Sequence, residues 1–162
     1  MPSAARPWRR SGASSSHLHS DHIVEWPAIH STGGMNIAGR TIPGPIEVFG
    51  PGNRGSLVRV FPPGRPEPAV FNPQDPTPGT TGMTGYLRQA FAADFNDRAR
   101  DSNFGTPDGV FKVHHIDISP YWAVTSEGIP PRLTAPIEVW HDGDVKIPAT
   151  LVDHRPTAPA FA

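Results

Sequence analysis

Apolar residues recur at helical spacing near the start of the chain. Ile23, Trp26 and Ile29 are each three residues apart, which places them on one face of a helix. Pro27 would fit only in the first turn of that helix. The Gly33-Gly34 pair that follows is typical of a helix end. The pattern therefore predicts a short helix over about residues 23–30.

A longer apolar stripe predicts the main helix, over residues 84–100. Thr84 can cap its amino end, while Arg98 and Arg100 suit its carboxyl end, where cations interact favourably with the helix dipole. Asp94 and Asp97 lie close to these arginines and are interpreted as part of a solvated charged face, not as a catalytic acid pair. The stripe itself consists of Met83, Leu87, Ala90, Phe91 and Phe95.

Four stretches have the pattern of β-strands. Residues 46–49 alternate and run into a Gly-Pro-Gly turn, and residues 110–118 are rich in β-branched and aromatic side chains. Residues 137–140 and 145–152 flank Asp142-Gly143, a dipeptide typical of β-hairpin turns. Seven prolines between residues 62 and 80 predict coil in that segment.

Composition limits the size of the core. Proline and glycine contribute 21 and 16 of the 162 residues, a share that argues against an all-helical bundle. Leu, Ile, Val and Phe make up about 21% of the chain, just above the level at which chains stop forming a core. Residues 1–16 contain three arginines, no acid and no apolar periodicity, so this segment is predicted to be disordered.

Charge and residue types exclude several function classes. The formal net charge of -1 provides no global field for nucleic acid or an anionic membrane. No cysteine is present, which excludes disulfides, thiolate nucleophiles and cysteine-ligated metals. The apolar runs are too short to span a bilayer. Eight histidines leave imidazole and carboxylate as the available metal ligands.

Four potential ligands are concentrated in residues 17–22, which read HLHSDH. In an extended segment His17, His19 and Asp21 would project to the same side. A turn after Ser20 would bring His22 beside Asp21. Two imidazoles with a third, distant ligand form an open zinc site, and an Asp-His pair can hold a second cation. A solvated histidine-rich patch is the alternative interpretation.

The HLHSDH segment matches the His-x-His-x-Asp-His signature of the metallo-β-lactamase superfamily, and the chain resembles its ribonuclease Z and arylsulfatase-like branch. Three further segments carry the resemblance, which covers roughly residues 17–162. Residues 26–28 (WPA) resemble the segment after the signature, and residues 45–51 (PIEVFGP) resemble a strand and turn of those enzymes. Residues 149–156 (ATLVDHRP) resemble the segment that supplies another histidine ligand.

The resemblance implies an α/β fold, a partial metallo-β-lactamase domain over residues 17–162 with a four-layer αβ/βα sandwich. It implies that His17, His19 and His154 bind a first Zn²⁺ and that Asp21 and His22 bind a second. Asp21 would also be catalytic, because its counterpart orients the attacking water. A zinc-activated water makes a protein nucleophile unnecessary.

The implied activity is that of a metal-dependent hydrolase. The substrate would be a phosphodiester, as for a ribonuclease Z-like endonuclease acting on precursor tRNA, or a small ester or sulfate ester. The near-neutral charge offers only local arginine clusters to a nucleic acid. The same resemblance implies a homodimer for the intact protein. Without a signal sequence or membrane span in the sequence, a cytoplasmic location is expected.

The family pattern is incomplete in this chain. Family members continue into a Ser-Gly-Asp-Thr-like segment, whose aspartate bridges both metals, and then to a final histidine, and they begin with strands that lead into the signature. We therefore expect a chain truncated at both ends, with an incomplete second zinc site. The alternative function is a catalytically inactive fragment that binds at most one metal or needs a complementary chain.

The remaining histidines are assigned structural or solvated positions. His30 and His141 are predicted to face solvent, the latter in a hairpin turn. His114 and His115 alternate faces in a strand, so at least one of them is expected to be structural. The turn at Gly50-Pro51-Gly52 lacks the pattern of a phosphate-binding loop, which makes nucleotide binding improbable.

Overall fold

The computed structural model describes residues 12–15, 17–36, 44–126, 128–143, 145–154 and 158–161. In these residues the strands form two three-stranded sheets. The first sheet is parallel, with the order β1 (Gly12–Ser14), β2 (Ile46–Pro51) and β3 (Phe111–Ile116). The second sheet is antiparallel and consists of β4 (Ile137–Asp142), β5 (Val145–Val152) and β6 (Ala158–Phe161).

Helices connect the strands of the parallel sheet. Between β1 and β2 lie α1 (Ser20–Ile23), α2 (Glu25–Thr32) and a 3-10 turn at Gly33–Met35. Between β2 and β3 lie α3 (Thr80–Ala90), α4 (Ala92–Asp101) and α5 (Pro107–Val110). Parallel strands require such crossover connections. None of the helices in the described part of the chain combines the length and apolar character needed to cross a membrane.

The central strand β2 is covered on both faces. Its neighbouring residues Glu47 and Val48, which point to opposite sides, are both buried. Val48 packs in a cluster with Val110 and Phe111, and Trp26 of α2 lies against this cluster. The buried Glu47 carboxylate has a partner, since it lies 2.5 Å from Nε2 of His114 on β3. Burial of this carboxylate is tolerated because it is paired.

A second apolar cluster joins the two sheets. Ile116 at the end of β3 packs with Ile137, Ala149 and Leu151 of the antiparallel sheet. Phe49 of β2 also lies against this cluster. The cluster fixes the end of β5 next to the ends of the parallel strands, and this placement determines where the residues after β5 lie.

Most of the elements that the local sequence predicts are present in the structure. The mixed α/β class is confirmed. The predicted early helix is α2, with Pro27 in its first turn and the glycine pair directly after it. The hairpin is confirmed as β4 and β5, and Gly143 in its turn has a φ of 56°, a conformation that glycine adopts without strain.

The main helix differs from its prediction in its start and its continuity. It begins at Thr80 instead of residue 84, and it is divided at Phe91 into α3 and α4. Thr84 is not a cap but a buried interior residue, whose hydroxyl donates to the Thr80 carbonyl at 2.8 Å. The same hydroxyl accepts a hydrogen bond from Nε1 of Trp26 at 3.1 Å. This contact between α2 and α3 has no signature in the local sequence.

The amino-terminal segment also differs in part from its prediction. Residues 1–11 and 16 lie outside the described residues, but Gly12–Ser14 form β1 and pair in parallel with residues 47–49. Ser15 continues this pairing, because its amide donates to the Phe49 carbonyl at 2.9 Å. Strand pairing uses backbone groups, so an edge strand forms here without an apolar pattern.

The prediction that His30 faces solvent is wrong. His30 is only 1% exposed and lies among the rings of Trp26, Phe95 and Phe111. Burial lowers its pKa, as does the positive charge of Arg88, while Asp108 acts in the opposite direction. The imidazole is therefore part of the core in its neutral form. His141, by contrast, is exposed as predicted and lies 2.9 Å from a Glu138 oxygen. It belongs to β4, where it pairs with Lys146, and not to the turn that was expected for it.

We expect His30 to make the fold sensitive to mild acid. A pKa that is lower in the folded than in the unfolded state means that the unfolded chain binds the extra proton first. The stabilisation that the neutral His30 provides is therefore complete above the ordinary histidine pKa. It is lost as the pH falls toward the lowered pKa of the folded state. Urea unfolding measures the free energy of unfolding at about pH 7.5 and about pH 5.5. Its decrease between the two pH values should be smaller for His30→Phe than for the wild type. Equal losses in both proteins would contradict this role.

Candidate metal centre

A cleft of about 730 Å³ lies at the carboxyl ends of the parallel strands. Its wall includes residues that lie at or just after the carboxyl ends of β1, β2 and β3, among them His17, Pro51 and Ile116. His154, which follows β5 of the second sheet, completes one side. The crevice outside the carboxyl ends of parallel strands is where ligands bind in open α/β sheets. Its volume is that of a small-molecule site.

His17 and His19 are placed by the turn that leaves β1. The Ser15 hydroxyl donates to the His17 carbonyl at 2.9 Å and so fixes the backbone just after the strand. His19 is still extended, with φ -69° and ψ 137°, and precedes the first turn of α1. The two imidazoles lie next to each other, with ring centroids 5.0 Å apart.

The structure brings these two histidines together with His154 from the other end of the chain. Each of the three offers a ring nitrogen, and these nitrogens all lie within 4.8 Å of one another. The ring centroids of His17 and His154 are 4.2 Å apart, and those of His19 and His154 are 5.1 Å apart. Among the residues that the structure describes, this is the one group of three or more ligand-type side chains close enough to share a metal ion.

The electrostatics of the cluster favour a neutral His17. Burial lowers the pKa of His17, and the neighbouring imidazoles of His154, His22 and His19 lower it further, while Asp21 opposes them. A neutral imidazole has a nitrogen lone pair available for a metal. The crowding of imidazoles therefore prepares a ligand and disfavours the protonated state that would compete with metal binding.

The three nitrogens fit a zinc ion after small side-chain movements. Zinc-nitrogen bonds of about 2.0–2.1 Å in a tetrahedral site require nitrogens roughly 3.4 Å apart. The rings of His19 and His154 are exposed, so rotation about their side-chain bonds can close the difference. Three histidines with a fourth, open position are a ligand set of catalytic zinc sites.

Asp21 and His22 occupy a different position from the three histidines. Both lie in α1, because the helix begins at Ser20 and ends the extended segment. An Asp21 oxygen lies 3.4 Å from Nε2 of His22, and both side chains are exposed. The His22 ring lies 4.3 Å from that of His17, yet neither Asp21 nor His22 joins the group of three nitrogens. The expected turn after Ser20 is present, whereas the expected alignment of Asp21 with His17 and His19 is not.

Further residues of the cleft were not predicted to be site residues. Arg54 follows β2, while His115, Asp117 and Trp122 belong to the end of β3 and the segment after it. Hydrogen bonds from Ser119, including its amide at 2.9 Å, lower the pKa of Asp117, which is therefore a carboxylate in the wall. The signal that would have found these residues is their position directly after parallel strands.

Comparison with protein-family models, with curated proteins and with solved structures finds no match to this chain.

Proposed function

We propose that this chain is a metal-dependent hydrolase of the metallo-β-lactamase type, with one zinc ion held by His17, His19 and His154. The observation that carries the proposal is the meeting of these three imidazoles, two of which come from the HLHSDH segment and one from the segment after β5. The family resemblance implies that the signature and the distant histidine bind the same metal. Their nitrogens lie within 4.8 Å of one another at the wall of a cleft.

The proposal includes a partial four-layer αβ/βα sandwich. It is supported by two sheets that pack through Ile116, Ile137, Ala149 and Leu151, with α2 packed near the parallel sheet through Trp26. The proposed substrates are a phosphodiester, including precursor tRNA, and a small ester or sulfate ester. A cytoplasmic location and a homodimer of the intact protein belong to the same proposal.

When bound, zinc in a three-histidine site supplies a Lewis acid and lowers the pKa of a coordinated water toward about 7. The residues of the chain have three tasks around it. His17, His19 and His154 would hold the metal, and Asp21, next to His22 in α1, would orient the attacking water. Apolar residues of the wall, such as Met83 and Trp122, would exclude solvent from the substrate.

A second candidate function is supported by the position of Asp21 and His22. They are not members of the group of three nitrogens, so that group by itself supports one metal position. In this second candidate the three histidines bind one zinc ion and no hydrolysis follows. The alternative is therefore an inactive fragment that binds a single metal or requires a complementary chain.

Turnover by zinc-loaded protein distinguishes the two candidates. We expect hydrolysis of bis(p-nitrophenyl) phosphate or p-nitrophenyl acetate above the uncatalysed rate, loss of this activity with a chelator, and its return with added zinc. His154→Ala should abolish it, whereas His141→Ala, an exposed histidine paired with Glu138, should not. Bound zinc without turnover would favour the inactive fragment. Turnover that survives both the chelator and His154→Ala would refute the zinc assignment.

A further inference from the structure

Arg54 lines the same cleft as the three histidines. It is the third residue after β2, so it lies at the carboxyl edge of the parallel sheet, where His17 and His19 also lie. Lysine and arginine are otherwise missing from the cleft wall described here. The cleft therefore combines a metal-type ligand cluster with one guanidinium group.

The Arg54 guanidinium is half-buried and has no carboxylate partner among the described residues. Burial lowers its pKa, and no neighbouring charge contributes to the change. Its Nε donates a hydrogen bond to the Ser56 carbonyl at 2.9 Å. An arginine remains charged in proteins, and removing such a charge from water without an ionic partner is unfavourable. An anion that enters the cleft would supply that partner.

The loop around Arg54 is held in place by hydrogen bonds on both sides. The Asn53 side chain donates to Asp75 at 2.8 Å and accepts from the Thr77 hydroxyl at 2.7 Å. The Gly55 amide donates to the same Asn53 oxygen at 2.8 Å. Because the flanking residues are tied to the segment before α3, the backbone of Arg54 is positioned before any ligand binds. Such preorganisation lowers the entropic cost of binding.

We infer that Arg54 is a specificity-determining residue that binds an oxyanionic group of the substrate, a phosphate, sulfate or carboxylate, in the cleft beside the three histidines. A guanidinium is suited to this role because its planar donors match the oxygens of such groups. The inference rests on the proposed function, since it names the substrate class of the same cleft. It favours anionic esters over neutral esters.

Direct binding to metal-free protein tests this assignment separately from hydrolysis. After chelation and dialysis, phenyl phosphate, phenyl sulfate and benzoate are titrated calorimetrically at about pH 8, above the ordinary histidine pKa. Phenol serves as the neutral probe. We expect at least one of the three anions to bind more tightly than phenol. The anion with the highest affinity identifies the preferred oxyanion.

Arginine variants show whether Arg54 is responsible. Arg54→Gln should weaken binding of the preferred anion by about tenfold or more without changing phenol binding, and Arg54→Lys should retain part of the affinity. Arg65→Gln, a matched exposed arginine of the following loop, should bind as the wild type does. Circular dichroism and the unchanged phenol affinity identify a folded Arg54→Gln protein.

Anion binding that is equal in Arg54→Gln and the wild type would overturn the inference, as would no anion preference over phenol in the wild type. Because this assay contains no metal, failure of the zinc site leaves its result intact. In zinc-loaded protein, Arg54→Gln should raise KM for bis(p-nitrophenyl) phosphate while the KM for neutral p-nitrophenyl acetate stays the same. Equal changes for both substrates would also contradict a role in anion selection.

Discussion

Replacement of His17, His19 or His154 by alanine is expected to lower zinc affinity by more than 100-fold. Loss of a partner that only orients a ligand already costs roughly 10–100-fold in metal affinity, and these variants remove a ligand itself. Each should have a similar effect, because the three nitrogens form one group. Equilibrium competition against a chromophoric zinc chelator measures the affinity, and metal analysis of the wild type should give one ion per chain.

The control for this experiment is His141→Ala. His141 is exposed and lies beside Glu138 in the hairpin, so its loss should leave zinc affinity unchanged. His22→Ala should have a smaller effect than His19→Ala, since His22 lies outside the group of three nitrogens. Two tightly bound ions in the wild type would contradict a single complete site. A zinc affinity that is the same in all of these variants would show that the histidine cluster is not a metal site.

Gly79→Ala is expected to destabilise the fold by about 3 kcal/mol. A Cβ at Gly79 would lie 2.5 Å from the Asn53 amide nitrogen and 2.8 Å from the Gly52 Cα, and it would also meet the Gly52 carbonyl carbon. These are backbone atoms, so no side-chain rotation can relieve the contact. Either the loop after β2 or the start of α3 must move, and both contribute to the cleft. Urea unfolding of the variant measures the loss.

Gly85→Ala provides a matched control with the opposite expected sign. Gly85 lies inside α3, and apart from its own stretch of helix a Cβ there would meet no atom within 4 Å. Alanine in a helix interior is more favourable than glycine by roughly 0.5–1 kcal/mol, so this variant should be more stable than the wild type. Stability of Gly79→Ala equal to that of the wild type would show that the loop and the helix do not pack as closely as described.

Elements whose signals lie close together in the chain could be predicted from the sequence. The hairpin was predicted because Asp142-Gly143 favours its turn and strands flank it on both sides. The first long helix, α2, was predicted because three apolar residues and a glycine pair define its face and its end. In both cases the interactions that determine the structure connect residues only a few positions apart.

Elements that depend on distant partners could not be predicted in this way. Helix α3 begins at Thr80, one turn before Thr84, and Thr84 contacts Trp26 of α2. Strand β1 forms because its backbone pairs with β2. His30 looks like a surface histidine in its local sequence, but Trp26, Phe95 and Phe111 enclose it. The residues that enclose it come from α2, α4 and β3, and their meeting is a property of the whole fold.

In the candidate site, too, some residues could be predicted from the sequence and others only from the fold. The HLHSDH segment identified His17, His19, Asp21 and His22 as ligand-type residues, and the resemblance added His154. In the structure Asp21 and His22 belong to α1, which begins at Ser20, and neither is a member of the group of three nitrogens. Arg54 carried no motif, and its position in the cleft follows from the end of β2.

The sequence by itself determined which side chains can bind a metal and where the local helices, strands and turns lie, because those properties depend on residue type and on neighbours along the chain. The tertiary structure decided which of the side chains meet. The packing of Ile116 against Leu151 and Ala149 places the segment after β5 beside the segment after β1. Side chains at opposite ends of a chain come within a few ångströms only when such a core fixes both of their strands.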